Sequence, residues 1–160
     1  MKIKVNNTTA LSACVLILSL LCLLSVGTPI RFDKQRAKRE AIVKHRLLKI
    51  RAAEEAYRAR HGAYAGTFDA LVNSKLLADS LVHIPFSGKK QFRLQATTLI
   101  GKNGKQIPAM ECGAEYADYL NGLDESSVSV LTEEAAMAGR YPGLKIGDLE
   151  TPNNNAGNWE

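Results

Sequence analysis

Residues 10–27 (ALSACVLILSLLCLLSVG) form an 18-residue run without a charge. As a helix it would measure about 27 Å, close to the hydrocarbon thickness of a bilayer. A cleaved export signal would share the basic start Met1-Lys2-Ile3-Lys4, but its apolar region is shorter, and Ser25-Val26-Gly27 makes a poor cleavage site. A lipoprotein signal at Leu11-Ser12-Ala13-Cys14 is excluded, because the apolar run follows that cysteine. The expectation is a retained transmembrane helix over residues 10–27, after a tail of residues 1–9. It would touch the lipid bilayer and make the chain a single-pass membrane protein.

Charge is unevenly divided. Residues 1–60 carry 13 Lys/Arg against 4 Asp/Glu, net +9, and residues 61–160 carry 8 against 12, net −4. A nucleic-acid binder would place its basic face on the folded domain, so no nucleic-acid partner is expected. The basic cluster at residues 31–51 reads as a solvated face near lipid head groups. It favours a cytoplasmic domain by the positive-inside rule, whereas a short basic start before an apolar run is also how an export anchor begins.

Thr28-Pro29 predicts a break, since the residue before proline is pushed out of the α region. The second helix, within residues 28–61, should be basic first and amphipathic later. Val43, Leu47, Ile50 and Tyr57 recur at helical spacing, with Ala41, Leu48 and Ala52 on a neighbouring stripe. Its later part should pack inward. Ala41, Val43 and Leu47 are the candidate interaction face, for a protein partner or self-association. Gly62 should end the helix in the left-handed conformation.

A small α+β domain is expected over residues 62–150. Thr67 can cap a short helix bearing Phe68, Leu71, Val72 and Leu76. Residues 91–100 alternate as a strand with Phe92, Leu94, Ala96 and Thr98 inward. Asn103-Gly104 marks a hairpin turn, and residues 107–113 the returning strand, with Pro108 at an edge. A helix is read over residues 131–140. Residues 151–160 read as a loosely held polar tail, with Trp159 able to dock.

Catalytic chemistry is sparse. His45, His61 and His83 show no metal-ligand spacing, and each reads as an ordinary surface histidine. Cys112 stands in a strand, where a small buried apolar role is expected. Glu54-Glu55 reads as a solvated helix face. Residues 101–104 lack the GK[ST] of a phosphate loop. No catalytic residue, metal, cofactor or small-molecule substrate is expected.

From residue 50 to residue 96 the order of parts resembles type IV pilins and type II secretion pseudopilins. An amphipathic helix is followed by the turn His61-Gly62-Ala63-Tyr64, the short helix TFDALVNSKLLAD and the strand segment IPFSGKKQFRLQA. The prepilin peptidase site is missing: Val5-Asn6-Asn7-Thr8-Thr9 precedes the run, and no acidic residue occurs in the first 32 positions. The segments PIRF, IRAAEEAYRARHGAYAGTFDALVN and RYPGLKIGDLETPNNNAGNWE resemble an uncharacterised bacterial family of single-pass membrane-anchored proteins. That resemblance implies the bacterial inner membrane as the location, and no activity.

The expected fold class is therefore α+β: a transmembrane helix, a long amphipathic helix and a small antiparallel sheet, pilin-like or ferredoxin-like. The expected function is that of a non-enzymatic membrane-anchored structural or interaction subunit of a pilus-like or secretion-related assembly. The alternatives are a ferredoxin-like inner-membrane assembly subunit, or an enzyme using Cys112 and a histidine.

Overall fold

The computed structural model describes residues 7–101 and 104–160, and for residues 9 and 23–29 the backbone alone. Most of the expected N-terminal tail, and Lys102 and Asn103 of the expected turn, lie outside the described residues. The chain divides into two compact units, Met1–Gln35 and Arg36–Glu160. Helix α1, Asn7–His61, contributes to both.

Within the first unit the helical backbone passes through Thr28 and Pro29, so the expected break is absent. A proline costs a helix one hydrogen bond and some strain, and the helical turns on either side carry it here although Val26, Gly27, Thr28 and Ile30 are weak helix formers. The expected membrane anchor needs the larger correction. Among the described residues no helix is long and apolar enough to cross a membrane. This overturns the transmembrane helix over residues 10–27 and the single-pass membrane localisation.

The second unit is a mixed α+β domain built on a three-stranded antiparallel sheet. Strands β1 (Arg93–Ile100), β2 (Gln106–Glu115) and β3 (Gly143–Gly147) lie in the order β1-β2-β3. The pairs Leu94↔Cys112, Ala96↔Met110, Cys112↔Ile146 and Ala114↔Leu144 set the register. Directly opposed residues share a face, so these residues line one side of the sheet. Met110, Cys112, Ala114, Leu144 and Ile146 are buried there, together with Val43, Leu47 and Ile50 of α1. The opposite side is polar: Lys145 Nζ pairs with Glu111 at 2.8 Å, and Arg93 with Glu115 at 3.1 Å. Thr98, expected inward, is exposed. Pro108 lies past the end of β3, where β2 has β1 as its one neighbour and a missing N–H costs no ladder bond.

Gly62, at φ +79°, ends α1 as expected, and its N–H donates to Arg58 O at 2.8 Å. Helix α2 (Phe68–Asn73) follows and buries Phe68 and Leu71. A 3-10 turn, Asp79–Leu81, leads to β1. At the β1–β2 turn, Gly101 N–H donates to Lys105 O at 2.9 Å, and Gly104 sits at φ +70°.

After β2 come the single-turn helix α3 (Tyr116–Tyr119) and α4 (Glu125–Met137). Helix α4 starts six residues before the expected 131, because Asp124 caps it and accepts from Ser127 N–H at 2.9 Å. The Ser126 and Ser127 hydroxyls add further bonds and hold the Asp124 carboxyl down at about 2.

The C-terminal residues are docked, not loosely held. Gly157 bridges Ile146 on the edge of β3 that β2 leaves open. Gly147 N–H donates to Ala156 O, and Asn158 N–H to Lys145 O, both at 3.0 Å. The Asn158 side chain donates to Gly143 O at 2.9 Å and accepts from Lys145 N–H at 3.2 Å. A polar sequence is suited to this, because asparagine amides can satisfy the backbone groups of a short strand end.

Candidate functional site

The candidate face on α1 divides on folding. Ala41 is exposed, but Val43 and Leu47 have no exposed surface at all. The domain reaches further along α1 than helical periodicity reveals. Val43 and Leu47 therefore hold the core together and offer nothing to a partner.

Four arginines explain that reach. Arg39 Nη1 donates to Tyr119 O at 3.0 Å, at the C-terminal end of α3, and to Asn121 O at 2.8 Å in the turn that follows. Arg46 donates to Ser80 O and His83 O. Arg51 pairs with Glu160 at 3.1 Å and donates to Asn155 O at 3.3 Å. Arg58 donates to the Tyr64 hydroxyl at 3.0 Å. The basic segment is thus a row of clamps on the domain's loops and C-terminal residues, where the sequence suggested a solvated face.

Glu54 is also displaced from its expected role. It is fully buried, and its carboxylate accepts from Ala65 N–H at 2.7 Å and Gly66 N–H at 3.2 Å. Burial raises its pKa above the ordinary value, and the two backbone donors partly offset that rise. It fixes the chain just beyond Gly62.

Cys112 is completely buried in the sheet face, and burial pushes its thiol well above the ordinary range. A thiol so placed is a poor nucleophile, since the reactive form is the thiolate. His45 and His61 are exposed on α1, and His83 lies half-buried, its carbonyl held by Arg46. No hydrogen bond joins Cys112 to a histidine among the described residues, and no group of three or more His, Cys, Asp or Glu is placed to hold a metal ion there.

The first unit offers a different kind of surface. Leu11, Val15, Leu16, Ile17, Leu18, Leu20 and Leu21 are all between 56% and 71% exposed. At 100° per residue these positions fall on every side of the helix. Sequence reading found this run but assigned it to lipid, and looked for the protein-binding face further along α1.

No family model, no curated protein and no solved structure matches the chain.

Proposed function

We propose that the chain is a non-enzymatic structural subunit that self-associates through the apolar part of α1 in the first unit, in a pilus-like or secretion-related assembly. The exposed apolar surface of residues 11–21 carries this reading. Burial of apolar surface is worth about 25 cal/mol per Å², so a helix apolar on all sides is driven to acquire neighbours on all sides. One partner helix covers one stripe. Several copies packed together cover the whole circumference, as in a helical array.

Charge supports copies of the same chain as the neighbours. The net +9 of residues 1–60 and the net −4 of residues 61–160 let the basic part of one copy meet the acidic part of another, head to tail. The order of parts after residue 50, similar to that of pilins and pseudopilins, fits the same reading.

Sedimentation velocity on the full chain tests it. The expected result is a concentration-dependent series of large species, returned to monomer by Leu16→Lys with Leu20→Lys. A wild-type chain that stays monomeric at tens of micromolar, or a double variant that assembles as before, overturns the proposal.

A further inference from the structure

Within the second unit a cleft of about 460 Å³ opens between α1, the loop after α4, β3 and the C-terminal residues. Its volume is in the range of small-molecule sites, roughly 300–1,000 Å³. Three of its cationic side chains each stand over an aromatic ring. Arg36 lies 5.6 Å from the Tyr116 ring centre, Lys44 5.5 Å from that of Trp159, and Lys145 5.9 Å from that of Tyr141. Arg140 is a fourth cation in the lining, against Glu40 and Asp148 as its carboxylates.

The cations are not equally committed. Arg36 is held by Glu40 at 2.8 Å, and Lys145 by Glu111 at 2.8 Å and Asp148 at 3.2 Å. Lys44 and Arg140 have no carboxylate within ion-pair distance among the described residues. The cleft therefore keeps two positive charges without an ion-pair partner among the described residues, and one of them, Lys44, stands over the Trp159 ring.

A buried group packs against one of its lining residues. Tyr119 is fully buried, and its hydroxyl has no hydrogen-bond partner among the described residues. Its ring centre lies 5.9 Å from that of Tyr116, which lines the cleft. A buried hydroxyl without a partner is costly to keep.

We propose that this cleft binds an organic anion, a phosphate or carboxylate group carried on a planar ring. The anionic group sits between Lys44 and Arg140 and draws Arg36 toward itself. The ring lies against the Trp159 or Tyr141 face. The proposal stands apart from self-association, and neither rests on the other.

Titration calorimetry on the full chain tests it, with adenosine monophosphate and benzoate as the two ring-bearing anions and inorganic phosphate and adenosine as controls. The expected result is one saturable site per chain for at least one ring-bearing anion, and which one binds separates a phosphate source from a carboxylate source. Both controls should bind about tenfold more weakly or worse. Arg140→Gln, at an exposed position, and Lys44→Gln should each weaken binding by about tenfold. No saturable binding of either ring-bearing anion, or full affinity in both cation variants, overturns the site.

Discussion

Asn155 Nδ2 donates to the Tyr64 hydroxyl at 2.7 Å, a buried bond between residues 91 apart in sequence. Tyr64 also accepts from Arg58 at 3.0 Å, so one phenol oxygen ties together the end of α1, the loop after it and the C-terminal residues. Asn155 lies at φ +57°, in the left-handed region that asparagine enters more readily than most residues. Tyr64→Phe removes the acceptor and leaves the amide buried and unpaired. The expected cost is about 1–3 kcal/mol in urea unfolding. A cost below about 0.5 kcal/mol would show that the C-terminal residues are held by β3 and Arg51 alone.

Elements whose signals are local were legible in the sequence. Gly62 as a helix stop, the hairpin glycines and the apolar spacing of α1 all depend on neighbours within a turn or two. What was missed depends on distant partners. Glu54 reads as solvated because its donors, Ala65 and Gly66, are backbone groups that no side-chain pattern advertises. The extent of α1 covered by the domain is set by loops that Arg39 and Arg46 clamp from far along the chain. The anionic-ligand cleft has walls from α1, the loop after α4, β3 and the C-terminal residues, so no single stretch carries its motif. Strand β3 is five residues long with a glycine at each end, and glycine depletes the strand signal.

Those two glycines have a packing reason. A Cβ at Gly143 would run into the Ala114 carbonyl oxygen, and one at Gly147, at φ +72°, into that of Met110. Gly147→Ala therefore combines a backbone clash with a disfavoured conformation at the point where β2, β3 and the C-terminal residues meet. It should cost more than about 2 kcal/mol, the combination of an unfavourable φ and overpacking. Amide exchange at Asn158 and Lys145 should accelerate along with it. A fully stable Gly147→Ala protein would mean that β3 can slide outward without losing its partners.

Ala41 and Val43 provide a paired test of where the domain ends on α1. Val43→Asp places a charge in a site with no exposed surface, and should destabilise the full chain by several kcal/mol. Ala41→Asp changes an exposed helical position, and should cost about 1 kcal/mol or less, mostly through helix propensity. Chemical denaturation of both variants measures the contrast. Equal, small effects would return both residues to the surface.

Glu54 makes stability depend on pH in a defined direction. Burial raises its pKa above the ordinary 4.5, with the Ala65 and Gly66 N–H groups limiting the rise. A carboxyl whose folded pKa is raised binds its proton more tightly in the folded chain than in the unfolded one. Its contribution is fully present below the unfolded value and is lost as pH climbs through the folded value. Glu54→Gln removes this titration, and its uncharged amide can still accept one of the two backbone bonds. The stability of the wild type relative to Glu54→Gln should therefore fall as pH rises from 4.5 toward neutrality. Urea midpoints of both proteins across that range give the difference directly. A flat difference would mean that Glu54 keeps the same affinity for its proton folded and unfolded, with its two backbone donors fully offsetting burial. A difference that grows with pH would mean that those donors outweigh burial.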